Sequence, residues 1–410
     1  MKILVLNAGS SSQKSCLYDI EGSLPTQAPA PVWEAELDWI TPQSEARITS
    51  KTKDSVQQEA TLSFSSRKES ILYLLSLLYS GPTKVISSLD EISAVGHRVV
   101  HGGQDYQSSA IIDAEVKAAI NRLSALAPDH NPANLEGIEL MEQLLCDVPQ
   151  VAVFDTAFHS QMPQVAATYP GPYDWLEQGI RRYGFHGISH QYCANKSAQI
   201  LNRSLEELRL ITCHLGNGCS LAAVKNGQSI DTTMGFTPLD GLMMGTRSGS
   251  VDPSILIYLM RKGYSADKLD NMLNEQSGLE GISGISQDMR EISKAVNQND
   301  NRAKLARDLY IHRLKACFGA MLMSLGGVDA IAFTAGIGEH SSWVRAAACE
   351  GMAFLGLTLD VEKNENSPVD RDIATIASAV RVLVIKARED WAIAQSCWHL
   401  IQKRTRSIAE

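Results

Sequence analysis

The sequence predicts an α/β protein built from two similar halves, and three observations carry this prediction. The chain has 410 residues, more than one hydrophobic core normally accommodates. Short apolar runs typical of buried strands alternate with longer stretches of helical periodicity. A strand, a polar loop of small residues, a second strand and a turn occur in that order near residue 3 and again near residue 208. Duplication of one α/β unit explains this repeat, with each half presenting its polar loop to a shared cleft.

The first half begins with the apolar run 3–6, which ends in the polar turn Asn-Ala-Gly-Ser-Ser-Ser. A connection rich in Pro and Ala follows at 22–32, and the polar stretch 41–70 predicts exposed strands or hairpins. Helical periodicity predicts helices at 69–80, 113–127 and 134–146. Two further apolar runs predict buried strands at 94–96 and 151–154.

The second half repeats the strand pattern and is richer in helices. Its predicted strands are 208–213, 221–224, 330–334 and 380–385, and Asn226-Gly227 predicts a turn after the second of them. Its predicted helices are 252–262, 265–275, 286–298, 301–325, 341–351 and the closing helix 389–402.

Charge and composition exclude several classes of protein. The net charge of −9 argues against nucleic acid or an anionic membrane as the main partner, although it does not exclude a small anionic substrate. The eight cysteines form no C-x-x-C pair and indicate reduced thiols. The N-terminus lacks the pattern of a signal peptide, and no apolar run is long enough to span a bilayer. We therefore expect a cytoplasmic protein.

Three glycine-containing loops, 7–12, 214–220 and 334–339, each follow an apolar strand. Backbone N–H groups in such loops can approach phosphate oxygens closely, so three of them favour nucleotide binding. The P-loop motif and the protein-kinase motifs are absent, and Gly216-x-Gly218 is not completed to a dinucleotide fingerprint.

Two arginines lie in glycine-bounded segments, Arg98 in GHRVVHGG and Arg247 in GTRSG. We expect each at the end of a strand, where a guanidinium group binds carboxylate or phosphate in bidentate fashion. Asp155 and Glu389 each follow a predicted strand, and with the Asn7 amide oxygen they suit Mg²⁺. His186 and His190 are four residues apart, which leaves a zinc site open, although Gly187 weakens a helix there and no third ligand is evident.

With these residues assembled, the sequence closely resembles the acetate kinases over essentially its whole length. The matching motifs are VLNAGSSSQK at 5–14, GHRVVHGG at 96–103, LAPDHNPAN at 126–134, VFDTAFH at 153–159, RRYGFHGISH at 181–190, HLGNGCS at 214–220, DTTMGFTPLDGLMMGTRSG at 231–249, SGISQDMR at 283–290 and FTAGIGE at 333–339. The resemblance implies the acetate and sugar kinase, Hsp70 and actin fold, with two duplicated ribonuclease H-like (actin-like ATPase) domains around an ATP cleft. The expected domains are 1–154, completed by the helix 391–410, and 155–390.

The resemblance also implies residue roles, a homodimer, and ATP with Mg²⁺, which Mn²⁺ could replace. Asn7 and Glu389 would bind the metal, Asp155 would be catalytic, and His186 would stabilise the transition state. Arg98 and Arg247 would hold the acyl and transferring phosphoryl groups. The acyl group would contact His130, Val100, Phe185 and Pro238. The nucleotide would contact Ser10, Ser12, Lys14, His214, Leu215, Gly216, Asn217, Gly218, Asp288, Met289, Arg290, Gly336, Ile337, Gly338, Glu339 and His340.

The sequence departs from the family pattern at four places. Asp129 replaces a leucine beside the acyl pocket, Ser250 replaces an aspartate, and His340 replaces an asparagine. The segment 386–390 replaces a T-[ND]-E-E-like segment, which leaves Asp390 as an alternative metal ligand to Glu389. Three other functions stay open: a propionate or butyrate kinase, an ATPase of the same fold without acid phosphorylation, and a zinc hydrolase using His186 and His190.

Overall fold

The computed structural model describes residues 1–9, 12–41, 45–366 and 369–409. They form two compact units. Unit 1 comprises Met1–Ala157 and Arg388–Glu410, and unit 2 comprises Phe158–Ala387. The limits of these units lie within a few residues of the expected domain limits.

In the described part of unit 1, one sheet holds eight strands in the order β5-β4-β3-β2-β1-β6-β8-β7. The strands β1, β6 and β8 are parallel, and the other neighbours pair antiparallel. The strands are β1 (Lys2–Ala8), β2 (Ser12–Asp19), β3 (Trp33–Thr41), β4 (Glu45–Thr52), β5 (Gln57–Ser63), β6 (Ile92–Val99), β7 (Ala110–Ile111) and β8 (Gln150–Phe154). The helices that precede unit 2 are α1 (Arg67–Ser76), α2 (Ala114–Arg122) and α3 (Asn131–Leu144).

In the described part of unit 2, one sheet holds six strands in the order β11-β10-β9-β12-β14-β13. The strands are β9 (Arg209–Leu215), β10 (Cys219–Lys225), β11 (Gln228–Thr232), β12 (Ala330–Thr334), β13 (Arg371–Asp372) and β14 (Arg381–Val384). The helices are α4 (Gln164–Ala167), α5 (Asp174–Glu177), α6 (Gly187–Leu201), α7 (Pro253–Arg261), α8 (Ala266–Glu275), α9 (Gly278–Ser283), α10 (Met289–Asn297), α11 (Asn301–Leu325), α12 (Ala335–His340), α13 (Ser342–Cys349) and α14 (Val361–Glu365).

The two sheets share one topology. In each, a three-stranded antiparallel meander (β3-β2-β1 or β11-β10-β9) is followed by two strands parallel to its last member and then by a short antiparallel edge strand. The faint sequence repeat therefore corresponds to a repeated arrangement of strands.

The last helix, α15 (Glu389–Ala409), returns to unit 1 and packs on β1, β6 and β8. Its close approach depends on Gly96 in β6. A Cβ atom at that position would lie 2.6 Å from both Cys397 Sγ and Ile393 Cγ2. Trp391 is buried on the same helix and contacts Tyr18 with 5.2 Å between the ring centroids.

Local signals explain where several elements end. The helix α11 begins after Asp300, whose side chain accepts a hydrogen bond from Ala303 N, and ends at Gly326 in the left-handed region. The turn from β10 to β11 has positive φ at Asn226 and Gly227, as a tight hairpin requires. The predictions for this helix and this turn are confirmed.

Three local expectations differ from the structure, and one strand was not expected. Gly187 does not weaken a helix, because it is the first residue of α6, where glycine costs little compared with a helix interior. The expected loop 334–339 is largely the helix α12. Arg247 lies in a segment without regular structure instead of at a strand end. The strand β3 was not predicted; it begins at the buried Trp33.

Among the residues that the structure describes, no helix combines the length and apolar character that crossing a bilayer requires.

Candidate functional site

The guanidinium group of Arg98 is fixed at the carboxyl end of the unit 1 sheet. Its Nε and Nη2 atoms donate to Asp155 Oδ2 at 3.0 and 2.5 Å, and Nη1 donates to Asn7 Oδ1 at 3.2 Å. These residues come from the ends of β6, β8 and β1, which are adjacent and parallel in the sheet. The topology therefore brings together three residues that the sequence singled out separately.

Burial makes this ion pair strong. Asp155 is 1% exposed, and the Arg98 side chain keeps 18% of its surface accessible. Burial by itself would lower the pKa of Arg98, but the attraction of Asp155, followed by that of Glu389 and Asp390, raises it. Arg98 is thus a permanent cation, and Asp155 holds it in place.

The segment that follows Arg98 is held by the start of α3. Asn134 Oδ1 accepts from Val100 N at 3.1 Å, and its Nδ2 donates to Ala8 O at 3.0 Å. Asn131 bonds both the N and the O of His101. Asn131 and Asn134 were not singled out from the sequence, although their spacing of three residues in HNPAN places them on one helix face. His130 directly precedes α3 and is half-buried.

An acidic pair lies at the start of α15. Burial, reinforced by repulsion from Glu389, raises the pKa of Asp390. Its Oδ1 atom is buried and has no hydrogen-bond partner among the described residues, while Oδ2 accepts from Cys16 Sγ at 3.6 Å. Such a pair favours a divalent cation, and Asn7 is close enough to Asp390 to affect its pKa. These oxygen donors fit Mg²⁺, which prefers oxygen ligands and keeps several of its waters.

Lys14 and Ser12 lie on β2, the neighbour of β1, and Asn7 is paired with Lys14 in the ladder. Lys14 Nζ forms an ion pair with Glu36 Oε1 at 3.3 Å, and both side chains are about half exposed. Ser10 lies outside the described residues. The ammonium group of Lys14 has three donors, so it can reach a phosphate oxygen from this exposed pair.

In unit 2, His186 belongs to a hydrogen-bonded cluster of histidines. Its Nδ1 lies 2.9 Å from Ser220 Oγ, and its ring stacks on His214 with the centroids 4.1 Å apart. His190 Nε2 lies 2.8 Å from the same Ser220 Oγ, and Nδ1 lies 2.8 Å from Thr212 Oγ1. Both nitrogens of His190 are thus engaged by hydroxyl groups, which argues against the zinc hydrolase. No group of three or more His, Cys, Asp or Glu suited to a metal occurs within the described ranges.

Arg247 lies near His186. A Cβ atom at Gly218 would come within 3.3 Å of His186 Cε1 and 3.6 Å of Arg247 Nη1. Glycine at 218 therefore leaves room for the side chains of His186 and Arg247 beside the β9–β10 loop. Arg247 Nη1 also donates to Pro238 O at 3.5 Å. Of the expected acyl contacts, Pro238 and the buried Phe185 belong to unit 2, and the buried Val100 belongs to unit 1.

Unit 2 contains a cavity of about 700 Å³. Three predicted nucleotide segments, around 216, 289 and 337, meet in its wall. The lining residues are Gly216, Asn217, Gln287, Asp288, Met289, Arg290, Ser293, Gly336, Ile337, His340 and Ser341. Gln287, Ser293 and Ser341 were not predicted as nucleotide contacts, although Gln287 lies within the motif SGISQDMR; no motif marked Ser293 or Ser341.

Some predicted nucleotide residues do not line this cavity. Leu215 is fully buried in β9, and Glu339 Oε1 accepts a hydrogen bond from Ala387 N at 2.8 Å. At the cavity wall, Asp288 caps α10 and pairs with the exposed Arg290, whose hydrogen bonds lower the pKa of Asp288. His214 Nδ1 lies 2.7 Å from Ser189 Oγ, so its ring is held beside His186 instead. Gly218 lies in the same β9–β10 loop as the lining residue Gly216, and Gly338 lies in α12 with the lining residue Gly336.

Replacing Gly184 by alanine is expected to destabilise unit 2. Gly184 has φ of +77°, and an added Cβ would lie 2.6 Å from Thr232 Cγ2 and 2.7 Å from His159 Cγ. Backbone strain and the clash together should lower the free energy of unfolding by about 2–4 kcal/mol. Urea denaturation measures this change. Gly319→Ala is the matched control, because nothing lies within 4 Å of its Cβ and a helix gains up to about 1 kcal/mol from this change. Equal stability of Gly184→Ala and the parent chain would contradict the argument.

Comparison with known proteins agrees with this architecture. The acetate kinase of Porphyromonas gingivalis superposes with a TM-score of 0.89 at 38% identity, covering 98% of this chain and 99% of that one. A propionate kinase from Francisella tularensis gives a TM-score of 0.88 at 40% identity, with 97% and 99% covered. The predicted fold class, two duplicated ribonuclease H-like (actin-like ATPase) domains, is thereby confirmed.

Sequence comparison extends this likeness over the chain. The acetate kinase of Acaryochloris marina is 67% identical over 398 residues, which is 97% of this chain and 99% of the relative. The model of the Acetokinase family matches residues 2–395. The chain therefore belongs to the Acetokinase family.

Proposed function

We propose that the chain is an acetate kinase, which reversibly transfers the γ-phosphoryl group of ATP to acetate to give acetyl phosphate and ADP. The observation that carries this proposal is Arg98, a partly buried cation fixed by Asp155 and Asn7. Nucleotide binding alone does not require such a residue in unit 1. Family membership and the cavity of unit 2 support the proposal further.

The chemical difficulty of this reaction is charge. Acetate is already a nucleophile at pH 7, but two like unit charges 4 Å apart repel by about 4 kcal/mol at an effective dielectric constant near 20. We assign the neutralisation of this charge to Arg98, Arg247 and His186, in an in-line transfer with a metaphosphate-like transition state. Asp155 orients Arg98, because its Oδ2 accepts two hydrogen bonds from that guanidinium group. A covalent intermediate on this carboxylate would remove the carboxylate charge that pairs with Arg98 and is the weaker alternative.

We assign the metal to Asn7 and the acidic pair Glu389 and Asp390. The buried Oδ1 atom of Asp390 and its raised pKa support including it beside Glu389. When bound, Mg²⁺ (or Mn²⁺ in its place) would neutralise charge on the nucleotide phosphates. The nucleotide itself is assigned to the cavity of unit 2, where His340 stands in the wall.

We also propose that two copies of the chain associate through α7 in the cytoplasm. Five large apolar residues on and near this helix are each about half exposed: Val251, Ile255, Ile257, Tyr258 and Met260. An apolar helix face of this kind is typical of an interface, and the family resemblance favours a second copy as its occupant. All eight cysteines are free thiols, which supports the cytoplasmic location.

The acid substrate can be tested by trapping acyl phosphate with hydroxylamine over a series from acetate to butyrate. We expect acetate to be preferred over propionate by about 10-fold or more in kcat/KM, because the family resemblance implies a pocket sized for a methyl group, and a methylene group that does not fit such a pocket costs about 1–3 kcal/mol. The likeness to a propionate kinase makes propionate the second candidate. A preference for propionate would reassign the substrate, and no hydroxamate with any acid would refute the proposal. Asp129→Leu, which restores the usual family residue, tests whether this exposed carboxylate affects the preference.

A further inference from the structure

A continuous chain of hydrogen bonds runs from His186 into the core of unit 2. It passes from His186 Nδ1 to Ser220 Oγ at 2.9 Å, on to His190 Nε2 at 2.8 Å, and from His190 Nδ1 to Thr212 Oγ1 at 2.8 Å. Ser220, His190 and Thr212 are each fully buried. Nothing in the proposed reaction itself uses these three residues.

The direction of the chain follows from counting protons. A charged His186 must donate from Nδ1, so Ser220 accepts there, and the acceptor within reach of its own hydroxyl proton is His190 Nε2. His190 then carries its proton on Nδ1 and donates it to Thr212 Oγ1. The Thr212 hydroxyl proton remains available for Ala222 O, which lies 3.5 Å away. Every hydroxyl group thus donates once and accepts once.

This arrangement requires a neutral His190. Burial, followed by the nearby His159 and His214, lowers the pKa of His190 well below its ordinary value. A protonated His190 would donate from both nitrogens, and Ser220 would then accept from both of its histidine partners, with neither left to accept its own hydroxyl proton. The neutral ring instead accepts from Ser220 and makes that hydroxyl an acceptor for His186.

We propose that His190, Ser220 and Thr212 are positioning residues that hold the His186 ring with its proton on Nδ1, so that a charged His186 presents Nε2–H to the transferring phosphoryl group. The catalytic part of this proposal rests on the proposed function. The hydrogen-bond chain itself does not, and the two can be tested separately.

The kinetic test uses substitutions that keep the volume of the site. Ser220→Ala removes the acceptor and should lower kcat about 10- to 100-fold, the usual effect of a hydrogen bond to a charged group, with KM for ATP changed less than about twofold. Thr212→Val keeps the shape but not the hydroxyl and should lower kcat several-fold, whereas Thr212→Ser should restore it. Ser197→Ala is the matched control, since Ser197 is a buried serine of α6 that bonds only its own helix through Cys193 O in the structure.

A spectroscopic test is independent of activity. Imidazole ¹⁵N–¹H correlation spectra, with the His186 signals assigned from a His186→Gln variant, should show a protected proton on Nδ1 that is lost in Ser220→Ala and kept in Ser197→Ala. Parent-like kcat in both Ser220→Ala and Thr212→Val would overturn the proposal. So would losses of kcat in Ser197→Ala and Thr212→Ser as large as those in Ser220→Ala and Thr212→Val. A His186 Nδ1 that carries no proton in the parent chain would overturn it as well. If the parent chain forms no acyl phosphate, the proposed function fails while the spectra still decide whether the hydrogen-bond chain exists.

Discussion

Replacing Arg98 by alanine is expected to lower kcat for acyl phosphate formation by about 10³- to 10⁵-fold, the range found for arginines that stabilise phosphoryl transfer. The substitution removes the partly buried cation that pairs with Asp155, so the remaining carboxylate adds repulsion toward an anionic substrate. Arg247→Ala should produce a loss of the same kind. Single-turnover measurement of acyl phosphate at saturating ATP and acetate determines the size of the effect.

Two further variants make this result specific. Arg98→Lys keeps the charge but not the planar fork that bonds Asp155 and Asn7, so it should lose less activity than alanine. Arg122→Ala is the matched control, because Arg122 is an exposed arginine of unit 1 paired with Asp105 and should keep parent activity. Near-normal acyl phosphate formation by both Arg98→Ala and Arg247→Ala would refute the assigned charge-neutralising role.

Replacing Arg345 by methionine is expected to lower the free energy of unfolding of unit 2 by about 2–4 kcal/mol. Arg345 is fully buried in α13 and donates to the carbonyl groups of Gly338 and Glu339 at 2.9 and 2.8 Å. It also donates to Asn364 Oδ1 and O at 2.9 and 2.7 Å, which connects α12 to α14. Burial lowers the pKa of Arg345 to about 10, so part of the bonding energy offsets the cost of a buried cation.

Because α12 lines the cavity that we propose for the nucleotide, the same substitution should raise KM for ATP as well. Urea denaturation and steady-state kinetics measure the two effects. Lys294→Met is the control, since Lys294 is exposed, pairs only with Glu291 in the structure and should change stability by less than about 0.5 kcal/mol. A parent-like denaturation midpoint for Arg345→Met would show that these carbonyl groups find other donors.

Much of the fold was predictable because its signals are local. Periodicity and caps were sufficient for α11, and the Asn226-Gly227 pair was sufficient for the hairpin between β10 and β11. The failures depend on tertiary context. Gly187 starts a helix because the αL conformation of His186 redirects the chain there, and a glycine-rich segment becomes α12 because Arg345 binds its last carbonyl groups. No sequence pattern contains these contacts.

The residues of the candidate site could be singled out from the sequence one at a time, but their arrangement in space could not be predicted. Strand ends marked Asn7, Arg98 and Asp155, and the parallel order of β1, β6 and β8 explains why they meet. The hydrogen bond between Ser220 and His190 could not be predicted, because these residues are 30 positions apart and become partners only through packing. The cavity proposed for the nucleotide was not predictable either, because its wall combines three segments that are far apart in the sequence.

The central claim is that this chain cleaves ATP in order to phosphorylate a carboxylate. Its most direct test is to measure ADP release and acyl phosphate together, with and without acetate, on the purified full chain with ATP and Mg²⁺. We predict that ADP release depends on acetate and equals acyl phosphate mole for mole. ADP release at the same rate without acetate would contradict the account and identify an ATPase of the same fold.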